Sequence, residues 1–183
     1  MTIKEIELNC ITYGKGNKFN TNLFKNIRNN KKHNKPLYGL WASPMYSQFG
    51  WIHFCKKYCF YERDFNTSFK FKLKGKILII DNENDLKEIE WVSVNYIHID
   101  IQEYFNLNHT SKNKHIKDIK LKGKMPAPNY EKIKNKGIDA IYLTDNGVKK
   151  CTKIDSGEHG KNLIGWDCES IFVMNKNCIY PEK

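Results

Sequence analysis

Three short segments of this chain carry residue types that can do chemistry. Thr12-Tyr13-Gly14 ends a partly alternating apolar run. Gly39-Leu40-Trp41-Ala42-Ser43-Pro44 sets an aromatic and a hydroxyl two residues apart, with Trp51 downstream. Trp166-Asp167-Cys168-Glu169-Ser170 opens a last apolar run. In an extended strand the spacing of Asp167 and Glu169 puts both acids on one face. Carboxylates fixed at the mouth of an apolar strand can stabilise a developing positive charge or handle a proton. Aromatic side chains can wall a dry pocket and stack on a planar cation. A plainer alternative stands beside each: Trp41, Trp51 and Trp166 as core or rim aromatics, Tyr13 as a packing residue, Asp167 and Glu169 as exposed carboxylates.

Such residues need rigid elements that end where they sit. Ile3 to Tyr13 alternates through Ile6, Leu8 and Cys10 and runs into Gly14-Lys15-Gly16, which predicts a strand and a turn. Leu23, Phe24 and Ile27 have helical spacing within a polar stretch that reads as a short helix or a loop. Pro36 opens a strand through Ser43 that Pro44 stops. Ser47 is a good N-cap for a helix over Phe49 to Tyr58, with Ile52, Cys55 and Cys59 on one face. Phe69, Phe71 and Leu73 alternate with lysines, and Ile77 to Ile80 continue as a buried run, giving a strand pair or one long bent strand. A short acidic helix starts at Asn84 or Asp85 and ends near Ile89. Val92 to Ile101 fits either class, and Asn106 to Lys124 reads as a basic surface excursion. Tyr130 to Lys136 predicts a helix stopped by Gly137, then a strand Ile138 to Leu143, a turn at Asp145-Asn146-Gly147 and a second hairpin arm, Val148 to Ile154. Glu169 to Met174 is the final strand. The fold class is α+β with more strand than helix.

The 183 residues form one expected domain, 1–183, long enough to bury a core without staples. Lys+Arg of 31 against Asp+Glu of 20 gives +11, which suits a polyanionic partner, although lysine and asparagine excess is also what AT-rich coding imposes. Only Arg28 and Arg63 are arginines, so lysine contact with phosphates is favoured over base readout. No apolar run is long enough to span a membrane, and no signal-peptide pattern opens the chain, so a cytoplasmic, membrane-free protein with reduced cysteines is expected. Cys55 and Cys59 have no second ligand pair at zinc-site spacing, so no metal is expected. His53, His98, His109, His115 and His159 lack a nucleophile at an interpretable spacing. Gly14-Lys15-Gly16 is not a phosphate-binding P-loop.

The order of these motifs resembles the ADP-ribosyltransferase-like fold family. It consists of a strand ending in an aromatic plus Gly, a Gly-Leu-Trp-Ala-Ser strand before a helix, a Gly-Ile-Asp-Ala-Ile segment, and a closing strand. That last strand, Glu169-Ser170-Ile171-Phe172-Val173-Met174-Asn175 and on to Ile179, begins with an acid. The resemblance spans nearly the whole chain and extends to uncharacterised phage-encoded proteins. It implies a split β-sandwich with short flanking helices, NAD as substrate, and mono-ADP-ribosylation of a host macromolecule, protein or nucleic acid, in the host cytoplasm.

What the resemblance implies residue by residue is as follows. Tyr13 and Gly14 stand where the family holds the NAD ribose and adenosine side, although Tyr13 replaces the family's His or Arg. Trp41 and Trp51 correspond to the aromatics around nicotinamide, and Ser43 to a serine near the acid. Glu169 corresponds to the catalytic acid, and Asp167 to a second acid that positions the acceptor. Two other functions stay open: a non-catalytic inhibitor or binding module acting on a nucleic-acid-handling complex, and an NAD glycohydrolase that transfers to water.

Overall fold

The computed structural model describes residues 2–13, 20–31, 34–58, 65, 67–96, 123–153 and 161–182. Gly14, Cys59, five of the six histidines and nearly all of the expected surface excursion lie outside the described residues. Within them the chain is mixed α/β.

Ten strands and four short α-helices are described: β1 (Thr2–Tyr13), β2 (Arg28–Asn29), β3 (Pro36–Leu37), β4 (Leu40–Pro44), α1 (Trp51–Lys57), β5 (Ser68–Ile80), α2 (Glu83–Lys87), β6 (Trp91–Tyr96), β7 (Gly123–Pro128), α3 (Tyr130–Asn135), β8 (Ala140–Leu143), α4 (Asp145–Cys151), β9 (Ser170–Val173) and β10 (Ile179–Pro181). Single 3-10 turns cover Thr21–Phe24 and Lys176–Cys178.

The main sheet closes on itself. β1 pairs antiparallel with β5 along its whole length, from Thr2 opposite Ile79 to Tyr13 opposite Ser68. β5 then pairs parallel with β8, β8 antiparallel with β9, β9 with β4, and β4 returns to β1 through Cys10–Pro44 and Ile11–Ser43. The result is a small barrel of five strands, with β10 added on β5. Closure removes the unpaired edges that an open sheet of these strands would present. β6 and β7 form a separate ribbon.

The long run 68–80 is one strand. Phe71 and Leu73 are buried between exposed Lys70, Lys72 and Lys74, whereas Ile77, Leu78 and Ile80 are all buried because both faces of that half are covered. Phe172, Val173, Ile171 and Ile141 are fully buried as well.

Three sequence expectations are corrected. Asp145-Asn146-Gly147 is not a hairpin turn but the first turn of α4, and Val148 to Cys151 continue that helix instead of a strand. Thr144 caps it, its Oγ1 accepting from the Gly147 N–H at 3.0 Å and donating to Asp81, while Asn146 also donates to Asp81. A side-chain cap anchored on a residue 63 positions away outweighs the local turn signal. Helix α1 starts at Trp51 behind Gly50, not behind Ser47, whose hydroxyl is engaged elsewhere. The strand expected from Leu37 is broken at Tyr38 and Gly39, with φ of 66° and 88°. A Cβ on Gly39 would sit 2.2 Å from the Phe172 ring, so glycine alone fits there.

Candidate functional site

The barrel register sorts the candidate residues by face. Opposite residues on paired strands point to the same side. Trp41 lies opposite Phe172 and Phe172 opposite Ile141, while Ser43 lies opposite Ile11, two residues from Tyr13. Tyr13, Ile11, Ser43, Trp41, Phe172 and Ser170 therefore share the outer face of the barrel wall. Ala42, Ile171, Tyr142 and Ile79 share the other face.

On the outer face lies a cleft of about 360 Å³. Tyr13, Trp41, Ser43 and Trp51, drawn from β1, β4 and α1, line it together with Asp167, Lys35 and Ser170. Trp41 forms the wall: its ring meets Trp166 edge-on at 4.6 Å and Phe172 at 5.0 Å, and the Lys35 ammonium stands 5.6 Å from its centroid. Trp166 is buried and forms the floor. Ser43 Oγ accepts from the Trp51 N–H at 3.0 Å and donates to the Glu169 carbonyl at 3.2 Å, so one hydroxyl ties α1, β4 and the start of β9. Tyr13 packs edge-on against Phe65 at 6.3 Å, and burial pushes its hydroxyl pKa up.

The loop carrying Asp167 is held from below. Asn34 donates to the Ile164 carbonyl, and its own carbonyl accepts from the buried Tyr130 hydroxyl at 2.8 Å. Gly165 takes φ of 88°, and Asn162 Oδ1 accepts from the Ile164 N–H at 3.1 Å. These contacts fix the backbone that presents Asp167, exposed at the lip of the cleft. Ser170 Oγ is buried without a hydrogen-bond partner among the described residues, an orphaned polar atom on the cleft wall. Cys168 also lines the cleft, its thiol pushed up to about 12, mainly by burial.

Glu169 stands apart. Residues 166–169 are not extended strand, and β9 begins only at Ser170. The expectation that Asp167 and Glu169 share a face is thereby corrected: the bend puts Asp167 at the cleft and Glu169 on the opposite side, with Ile171 and Tyr142. There the Tyr142 hydroxyl donates to Glu169 Oε1 at 2.5 Å and Ser47 to Oε2. Glu169 lines a second, open groove with Glu7, Asn9, Tyr46, Phe49 and Asp145. Burial, reinforced by the Glu169 carboxylate, raises the Tyr142 pKa well above the ordinary phenol range.

Lys35, Ser170 and Cys168 are cleft residues that sequence reasoning missed. For Cys168 and Ser170 no local spacing gave a signal, because the bend at 168–169 breaks the alternation that would sort these residues by face. Among the described residues no group of three His, Cys, Asp or Glu side chains is arranged to hold a metal ion, and no helix is long and apolar enough to cross a membrane. No protein-family model, no curated protein and no solved structure matches the chain.

Proposed function

We propose that the chain is a mono-ADP-ribosyltransferase that binds NAD as substrate in the outer cleft and transfers ADP-ribose to a host macromolecule. The observation that carries this reading is the convergence of Tyr13, Trp41, Ser43, Trp51 and Asp167, spread over more than 150 residues, on one aromatic-walled cleft. The closed barrel with short flanking helices is read as a version of the family's split β-sandwich.

The chemistry follows from the residue types. Nicotinamide is a planar cation that Trp41 and Trp51 can hold by stacking. Ser170 Oγ offers an unused hydrogen-bonding group on the same wall. As the bond from ribose C1′ to the nicotinamide nitrogen breaks, its electron pair leaves with neutral nicotinamide and positive charge develops on the ribose. A carboxylate at the lip stabilises that charge, and Asp167 is the acid whose position suits it. The acceptor attacks C1′ and releases its proton. Glu169 serves the same role only if its carboxylate leaves Tyr142 and Ser47 and swings round the start of β9.

Labelled NAD incubated with the protein and a host lysate tests both statements. Label transfer by the wild type, lost in Asp167→Asn and kept in Glu169→Gln, is the expected pattern. The reverse pattern assigns the acid to Glu169, and transfer retained in both variants removes the acid from the mechanism. Nicotinamide release without labelled product identifies a glycohydrolase. The binding-module alternative is favoured by the turn of Glu169 away from the cleft and by tyrosine at position 13. It requires activity that is independent of NAD.

A further inference from the structure

The sequence gathers much of its positive charge into one stretch. Residues 8–61 contain eight lysines and Arg28 and no Asp or Glu, so this stretch holds most of the net +11. Within it lie β4, helix α1 and Lys35 at the cleft lip.

Helix α1 adds a ladder of rings. Trp51, Phe54 and Tyr58 recur at spacings of three and four and so share one face. The Trp51 and Phe54 rings stack at 5.7 Å and 19°, and Phe54 and Tyr58 follow at 4.8 Å. The first ring lines the cleft and the last is 55% exposed. At the far end the Lys57 ammonium stands 5.5 Å from the Tyr58 ring, next to Lys56, and at the near end Lys35 stands over Trp41. Ammonium groups beside aromatic rings, on a helix with no Asp or Glu of its own, offer phosphate contacts and stacking surfaces together. Positive charge attracts any polyanion, but rings need unpaired planar partners, which a duplex or an acidic peptide lacks.

We propose that the surface running from the cleft along α1 to Tyr58 binds single-stranded nucleic acid. Given the transferase reading, on which this second step rests, a nucleic acid is then the acceptor, one nucleotide entering the cleft while its neighbours lie along the ladder. A nucleophilic nitrogen or oxygen of that nucleotide forms the new bond to ribose C1′ as the bond to nicotinamide breaks. Nicotinamide leaves with the electron pair, and the acceptor's proton passes to solvent. Lysine without arginine gives little base readout, so binding is tolerant of sequence.

Fluorescence anisotropy without NAD tests the surface. The probes are labelled oligothymidylate, oligouridylate, a duplex of matched length and polyglutamate, measured over a range of salt. Single strands are expected to bind tightest. Tyr58→Ala should weaken them about tenfold, and Tyr58→Phe should retain binding. Lys57→Ala should reduce the salt slope by about 0.7 if one phosphate contact is lost. Circular dichroism of each variant checks the fold. Polyglutamate or duplex binding as tight as single strands, or indifference to Tyr58→Ala, overturns the proposal. Labelled NAD separates the two levels. Strand binding without nicotinamide release removes the transferase and leaves the surface, whereas transfer to protein without strand binding does the opposite.

Discussion

Tyr142, Ser47 and Glu169 form a hydrogen-bonded group at the barrel mouth, with the cleft on the far side of the same wall. Burial raises the Tyr142 pKa there, and it dominates at the thiols as well. Burial pushes Cys10, Cys151, Cys168 and Cys178 from an ordinary 9.0 up to about 12. A thiol that keeps its proton in the folded chain but loses it when unfolded makes stability fall as pH rises. The thiols therefore contribute their full stability below about pH 9 and lose it progressively between 9 and about 12. Urea unfolding midpoints should be level from pH 7 to 8.5 and drop towards pH 10. Cys151→Ala, compared with its own value at pH 7, should drop less. A midpoint that does not move with pH in the wild type contradicts these burials.

At this scale the types of Tyr13, Trp41, Ser43, Trp51 and Asp167 are local properties that the sequence shows, whereas their meeting on one cleft is a property of the fold. The direction of Glu169 is not a local property either. It depends on the bend at 168–169 and on the register of β9 against β4, which no local spacing encodes.

Among the elements, those with strong periodicity were legible: β1, β5, α3 and β8 fall close to their expected spans. Helix α4 was not, because Asp145-Asn146-Gly147 has turn chemistry and its real determinants are nonlocal. Gly147 packs on the Ile80 carbonyl, where a Cβ would lie 2.3 Å away, and Asp81 anchors the cap. The same dependence on distant partners makes the Tyr38–Gly39 break testable. Gly39→Ala combines a strained positive φ with a clash on Phe172, and should cost about 2–4 kcal/mol. Gly137 has φ of 74° with open space around it, so Gly137→Ala should cost only about 1 kcal/mol. Chemical denaturation of both variants checks the difference, and equal losses would mean that the Phe172 contact is not limiting. Because Gly39 precedes Trp41, loss of its turn should also loosen the cleft wall.

For the molecule as a whole, composition indicated a basic globular chain and the order of expected elements an α+β class, whereas closure of the barrel came from pairings such as β1 with β5 that join distant segments. Closure is what brings β1, β4 and β9 side by side and so assembles the cleft from three parts of the chain. It also places three of the four tryptophans, Trp41, Trp51 and Trp166, on that cleft, with Trp91 away in β6. Binding of a nicotinamide ring there has an optical consequence. The most direct measurement is a titration of the folded protein with NAD, followed by tryptophan fluorescence, beside Trp41→Phe and a Trp91→Phe control. Saturable quenching that is weakened in Trp41→Phe and preserved in saturation behaviour by Trp91→Phe is the predicted result. Fluorescence that does not respond to millimolar NAD, in protein shown to be folded, would contradict the assignment of the cleft to NAD.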